Sequence, residues 1–248
     1  ANDAQMILLD APGLLEPEYA LQHAMRVAAL RALADADVIV YLVDANAGPP
    51  PPLARAAMLP DDVQLRAPVL TALNKIDTLP AGQRDALASD GSDTLPISAL
   101  TGEGVDARID RSAQLLPESP FLYPEDEIGT QSLRFFASEL VRETALEQLE
   151  QEVPYSVACE IEEFREDRRP VYIRAVIYVE RDSQKRILIG HRGARIREIG
   201  QAARQKIEQL VDAPVYLDLW VKVLPNWRRD QKALRRFGFT LPDEDSRP

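Results

Sequence analysis

Ten residues toward the C-terminal end have the types and spacing to hold a nucleic-acid backbone: Ile187-Leu188-Ile189-Gly190-His191-Arg192-Gly193-Ala194-Arg195-Ile196. A Gly-x-x-Gly turn follows an apolar run and opens an amphipathic stretch. Glycine has no Cβ to keep phosphates away from bare peptide N–H groups, and the next helix presents its positive end. Gly190 and Gly193 would admit the backbone, with His191 inside the turn. Lys185, Arg192 and Arg195 would neutralise phosphates, and the apolar groove beneath would pack against bases. A Gly-x-x-Gly is also an ordinary helix-entry turn, so its surroundings must carry the reading.

A second set of residues could hold a nucleotide. Asp10-Ala11-Pro12-Gly13, Asn74-Lys75-Ile76-Asp77 and Ser98-Ala99-Leu100 each follow an apolar run. In that order, D-x-P-G, N-K-x-D and S-A-x are the later nucleotide motifs of a P-loop GTPase. Asp77 can accept two hydrogen bonds from the guanine ring, a pattern adenine does not supply. A buried carboxylate left unpaired rejects the wrong base by roughly 10⁴-fold. Asn74 and the Lys75 stem would brace the loop and cover the base. Asp10 would hold Mg²⁺ through water, and Gly13 would offer its N–H to a γ-phosphate.

The elements that must position these residues can be read from periodicity. Residues 5–10 (QMILLD), 38–44 (VIVYLVD), 68–74 (PVLTALN) and 94–98 (TLPIS) read as strands. Between them lie helical patterns, one with Leu21, Met25, Ala28 and Leu33 on a face and a shorter one over 53–58. Alternating strands and helices predict an α/β fold with a parallel sheet, whose ligands gather at the carboxyl ends of the strands. A proline-bearing linker follows over 116–131, stiff enough to limit reorientation. Ser132 then caps a helix predicted over 133–150, with Phe135, Leu140 and Leu146 on one side. Strands at 156–164 and 171–179, the Gly-x-x-Gly, a helix at 194–211 and a strand at 215–223 complete a helix-first KH order. Ile196, Ile199, Ala203, Ile207 and Leu210 give that long helix its apolar stripe.

Charge supports two functional halves. The net charge is −11, yet 180–239 carries +7 and the remainder −18. Such asymmetry points to a nucleic-acid surface confined to the C-terminal part. Trp227, Arg228, Arg229, Lys232, Arg235 and Arg236 lead a short basic helix, which is either a further RNA contact or a solvated helix anchored by Trp227. One cysteine, Cys159, excludes an internal disulfide framework and reads as a small strand hydrophobe. With only two histidines there is no metal-ligand cluster. No apolar run approaches the roughly 18 residues needed to span a membrane.

The chain resembles the bacterial Era-type GTPases, in which a Ras-like domain is joined to a KH RNA-binding domain. Beyond the nucleotide motifs the likeness rests on Tyr123-Pro124-Glu125-Asp126, the 135–143 stretch, Val153-Pro154-Tyr155-Ser156-Val157, 179–185, and 217–223 with Trp227. It implies a GTPase domain over 1–117, a linker over 118–131, a type II KH domain over 132–239 and a tail over 240–248. It also implies a GTP-hydrolysing ribosome-assembly factor that uses GTP, GDP and Mg²⁺ and binds the 3′ region of small-subunit ribosomal RNA on the small ribosomal subunit. Trp227, Arg228 and Arg229 join the RNA-binding set on the same ground. The implied protein is a cytoplasmic monomer without a DNA partner, with a peripheral contact to the inner membrane face left open.

Two departures matter. No G-x-x-x-x-G-K-[ST] occurs, so the phosphate loop, its lysine and the first switch are missing. In the family the absent first strand is central, between the strands matching 5–10 and 38–44. Its loss leaves rows of backbone N–H and C=O groups unpaired. The chain is therefore expected to be the remainder of a longer molecule, inactive in hydrolysis by itself. The alternative is a KH-type RNA-binding protein with a vestigial nucleotide fold. The 79–94 stretch is also shorter than a full helix needs, as if residues near 90–92 were absent. Leu14 follows D-x-P-G where a water-positioning glutamine could stand. It predicts slow intrinsic hydrolysis, or serves only as a loop anchor.

Overall fold

A computed structural model describes residues 4–60, 63–80, 82–84, 94–124, 131–149 and 157–241. They belong to two compact units, Ala1–Glu18 with Gln22–Pro124, and Tyr19–Leu21 with Glu125–Pro248. The expectations about 90–92, Val153–Ser156, Glu125-Asp126 and the tail from 242 onward lie outside the described residues.

In the first unit, α1 (Ala20–Asp35) leads into β1 (Ile39–Asp44), α2 (Leu53–Ala56), β2 (Val69–Asn74), β3 (Thr94–Pro96) and α3 (Val105–Leu115). The strands form a parallel sheet in the order β1-β2-β3. β2 is the central strand and buries Leu70, Ala72 and Leu73. Parallel strands covered on their faces carry such near-continuous apolar runs. Asp44 and Asn74 are register partners at the carboxyl ends of β1 and β2.

The expected strand at 5–10 does not form. That stretch is irregular, with Ile7, Leu8 and Leu9 exposed. An extended run becomes a strand only when a neighbour takes its N–H and C=O groups, and β1 sits at the sheet edge. Gln5 instead accepts the N–H groups of Leu122 and Tyr123 at 2.9 and 3.1 Å. The buried face of α1 is also set differently: Leu21, Ala24 and Ala29 are buried, whereas Ala28 is exposed.

The second unit holds α4 (Leu133–Glu147), β4 (Ala158–Arg165), β5 (Val171–Val179), α5 (Asp182–Ile189), α6 (Ala194–Val211), β6 (Val215–Val223) and α7 (Gln231–Arg236). β5 is central, antiparallel to β4 and parallel to β6. Alternate residues of β5 (Val171, Ile173, Ala175, Ile177 and Val179) share a core with Ile199, Ala203 and Ile207 of α6. Period two on the strand meets the helical stripe across one layer, as the sequence pattern requires. Ile196 packs against this core only partly buried, and Leu210 is likewise half-buried.

Ser132 caps α4 as expected, its hydroxyl accepting the Phe135 N–H at 3.3 Å. The buried side of α4 is Ala137, Val141, Thr144 and Ala145, while Phe135 is exposed. Small residues win there because α4 lies close to β4 and α6. Cys159 lies half-buried in β4, and burial pushes its thiol pKa up.

Candidate functional sites

The carboxyl end of β2 turns sharply through Lys75, a non-glycine residue at φ +69°. A 3₁₀ turn, Ile76–Thr78, follows, with Ile76 buried beneath it. This plug leaves Asn74, Lys75 and Asp77 at the rim. Ser98 is wholly buried and donates its hydroxyl to Asp77 Oδ1 at 2.6 Å. Asn74 Oδ1 accepts the Ala99 N–H at 2.9 Å. Ile76 N–H reaches the Ile97 carbonyl at 3.3 Å, so backbone also joins the two loops.

Asp77 is thus held by one oxygen, and its other oxygen carries no hydrogen bond among the described residues. A carboxylate fixed in this way can accept the paired N–H groups of a guanine edge, and the Ser98 hydroxyl sets its angle. The acceptor carboxylate therefore fits the N–H edge of a guanine base. Leu100 is 85% exposed and supplies only backbone to the turn.

Asp10, Ala11, Pro12 and Gly13 lie in the irregular segment before α1. Asp10, Ala11 and Gly13 are exposed, and no hydrogen bond or ion pair among the described residues links the segment to Asn74, Asp77 or Ser98. The run that leads into them is not part of the sheet. No group of three or more His, Cys, Asp or Glu side chains among the described residues is placed to hold a metal. Mg²⁺ at nucleotide sites keeps several waters and leans on phosphates, so a single water-mediated Asp10 remains compatible with it. Leu14 is half-buried.

Sequence reasoning missed three residues of this pocket. Asp44 takes the Lys75 ammonium at 2.7 Å. Thr78 donates to the Lys75 carbonyl at 2.7 Å. Arg84 clamps the loop from outside through the carbonyls of Asp77 and Leu79 at 2.6 and 2.9 Å. Asp44 could have been found, because it ends an apolar strand beside Asn74.

The second site is the turn between α5 and α6. Gln184 accepts the N–H groups of Glu180 and Arg181 at 3.0 and 2.9 Å, fixing the start of α5. Leu188 is fully buried and anchors its end. Gly190 has φ +71° and Gly193 φ +77°, conformations that favour glycine. A Cβ at Gly190 would lie 2.8 Å from Arg195 Cβ and 3.0 Å from its N, whereas one at Gly193 would meet only Ile196 Cγ2 at 3.9 Å. Gly190 is required by close packing, and Gly193 by backbone angle alone. Arg192 sits between them at φ +51°, an uncommon state for a side-chain-bearing residue.

An open cavity of about 420 Å³ adjoins this turn, lined by Arg186, Ile187, Gly190, His191, Ala194, Arg195 and Glu198. Lys185, Arg186, His191, Arg192 and Arg195 have no side-chain hydrogen bond or ion pair among the described residues. Elsewhere in the same unit the cations are mixed, with Arg197, Arg204, Lys232 and Arg235 also lacking a carboxylate partner among the described residues. Arg142, Arg174, Lys206, Lys222, Arg228 and Arg236 each hold a carboxylate. Uncompensated cations gathered on one glycine turn, with Arg186 and Arg195 lining its cavity, suit an external anion. Arg186 and Glu198 are additions that the motif alone did not single out.

The basic tail divides. Trp227 is 3% exposed and packs edge-on to Phe237 at 5.2 Å, so its ring has no face for a base. Arg228 is bound to Glu180 at 2.6 Å and Arg236 to Glu160 at 2.5 Å. These contacts suit the alternative in which Trp227 anchors a solvated basic helix, with Arg228 tied to the end of β5 through Glu180. Arg229 is exposed.

The chain is similar to known proteins over almost its whole length. A KH domain model matches residues 152–228. GTPase Era of Carboxydothermus hydrogenoformans is 40% identical over 97% of this chain and 83% of its own. GTPase Era of Aquifex aeolicus is 38% identical over 97% of this chain and 84% of its own. A crystal structure of an Aquifex aeolicus Era variant bound to GDP and AlF₄⁻ superposes with a TM-score of 0.87, at 38% identity over 97% of this chain and 84% of that one. Era in complex with MgGDPNP and nucleotides 1506–1542 of 16S ribosomal RNA superposes with a TM-score of 0.84, at 38% identity over 94% and 81%.

Proposed function

The chain belongs to the Era family of GTPases, and we propose on that premise that it couples guanine-nucleotide binding to capture of the 3′ region of 16S ribosomal RNA. It is a GTP-binding, GTP-hydrolysing ribosome-assembly factor that works with Mg²⁺ on the small subunit. Residues 1–117 carry the nucleotide site and 132–239 the RNA site. One observation supports the pairing: a braced Asp77 base reader occurs in the same chain as a Gly-x-x-Gly cleft with uncompensated cations.

Asn74, Lys75, Asp77, Ser98, Ala99 and the Leu100 backbone would hold guanine. The phosphate end relies on Asp10, Ala11, Pro12 and Gly13 together with a phosphate loop that these 248 residues do not contain. When bound, Mg²⁺ neutralises charge between the phosphates. At the RNA site, Gly190 and Gly193 admit the backbone, while Lys185, Arg192 and Arg195 meet phosphates, with His191 inside the turn; the exposed Arg229 adds a further cation from the basic tail. The protein works in the cytoplasm beside its RNA. No helix among the described residues is long and apolar enough to cross a membrane.

The test is RNA affinity of the full-length protein for a 3′-terminal 16S fragment without nucleotide, with GDP and with a non-hydrolysable GTP analogue. The expected result is tightest binding with the GTP analogue. Absence of RNA binding in all three states would overturn the reading.

A further inference from the structure

We propose that Asp44 is a positioning residue of the guanine site that acts through Lys75; the inference rests on the nucleotide-binding reading above. Asp44 is the last residue of β1, in register with Asn74. Its Oδ2 accepts the Lys75 ammonium at 2.7 Å. Its Oδ1 accepts the Asn46 N–H at 3.0 Å and the Asn46 side-chain amide at 2.8 Å. That amide also donates to the Thr78 hydroxyl at 3.0 Å, and Thr78 donates to the Lys75 carbonyl at 2.7 Å. The bonds close a ring through Asp44, Asn46, Thr78 and Lys75.

The ring does two things at once. It holds the backbone of Lys75 in its left-handed turn, and it anchors the far end of the same side chain. A free lysine stem rotates through many rotamers, and ordering one on ligand binding weakens affinity. With the ammonium tethered to β1, the four-carbon stem is laid along the rim beside Asp77 before any base arrives. It becomes a ready apolar surface for one face of a purine. Asp77 reads the edge of the base, whereas the tethered stem meets only its face and is indifferent to the 2-amino group.

The experiment measures binding of a fluorescent GDP analogue, with IDP as competitor, to full-length protein. Asp44→Asn is expected to weaken GDP about 3- to 10-fold, the cost of ordering one long side chain. The GDP:IDP ratio is expected to stay at the wild-type value. In a Lys75→Ala background, Asp44→Asn should add nothing further. Nucleotide-free RNA affinity checks that each variant is folded. Lys75→Gln breaks the same pair from the other side and keeps the Asn46 bonds, so it should lose at least as much. Unchanged GDP affinity in Asp44→Asn or Lys75→Gln overturns the proposal. So does a loss that persists undiminished in Lys75→Ala, which would make Asp44 a loop clamp. Wild-type protein that binds no guanine nucleotide would instead sink the nucleotide-binding reading, and this proposal with it.

Discussion

Ser98 and Asp77 lie 21 residues apart in sequence and 2.6 Å apart in space, the hydroxyl donating to carboxylate Oδ1. Ser98 is buried and its oxygen also accepts the Thr101 N–H at 3.1 Å, so the hydroxyl has one orientation. It ties the two base-recognition loops into one rigid acceptor.

Ser98→Ala should therefore weaken guanine-nucleotide binding more than its distance from the ligand suggests. A hydrogen bond to a charged group contributes about 1.5–3 kcal/mol, or roughly 10- to 100-fold in affinity. Titration with a fluorescent GDP analogue checks this. Selectivity for GDP over IDP should fall as well, because a swinging carboxylate no longer meets both N–H groups of the guanine edge.

Asp77→Asn tests coupling between the sites. Replacing an acceptor with an amide removes the match to guanine without disturbing the KH sheet. GTP-stimulated RNA binding should be lost while nucleotide-free RNA binding stays within about 2-fold, since no differential ligand binding is left to shift the equilibrium. Equal loss in both conditions would contradict coupling.

How far these sites could be read from sequence depends on whether a signal was local. The β2 run, its N-K-x-D ending and the α6 stripe were legible because period and turn chemistry agree over adjacent residues. The strand at 5–10 was misread for a non-local reason: its apolar residues look like a strand, but strands exist only in pairs. Phe135 was misread because size suggests burial, whereas the close approach of α4 to its neighbours favours Ala137 and Ala145. Asp44 and Glu180 were missed because their partners, Lys75 and Arg228, are 31 and 48 residues away.

Arg228 and Arg192 should separate stability from RNA binding. Arg228 is bound to Glu180, which is only 12% exposed. Arg228→Ala strands that carboxylate and should cost about 1–2 kcal/mol of stability, seen as a lower Tm, with the salt dependence of RNA binding unchanged. Arg192→Ala should do the reverse. If four phosphates are neutralised, log K against log[salt] has a slope near −3, and losing one contact should make it shallower by about 0.7.

The Asp44–Lys75 pair has a defined pH window. Hydrogen bonds from Lys75 and Asn46 hold the Asp44 carboxyl well below its ordinary 3.8, and the Asp44 partner raises the Lys75 ammonium above its ordinary 10.5. A lowered acid stabilises the fold above its ordinary pKa, and that contribution fades as pH falls below it. A raised base contributes below its ordinary pKa and fades as pH rises past it. The GDP-affinity gap between wild type and Asp44→Asn should thus be constant from about pH 5 to 9. A gap that titrates near neutrality would show that another group is responsible.

Gly190 and Gly193 look equivalent in the motif but should fail differently. At Gly190 a Cβ would press on Arg195 at 2.8 Å, so even Gly190→Ala must move the start of α6. Gly193→Ala forces a side chain into the left-handed region at about 1 kcal/mol, and Gly190, at φ 71° and ψ 179°, occupies a region open almost only to glycine, at about 1–3 kcal/mol. Gly193→Ala should carry its backbone cost alone and melt only slightly earlier, whereas Gly190→Ala should lose a further 1–2 kcal/mol from crowding. Gly193→Asp is then the cleaner probe of RNA contact. It leaves the fold in place but puts a carboxylate where a phosphate should approach, among Arg186, Arg192 and Arg195. RNA affinity should fall by at least about 10-fold at low salt, with far-ultraviolet circular dichroism unchanged. Near-normal affinity in Gly193→Asp would mean that the RNA backbone takes another path across this face.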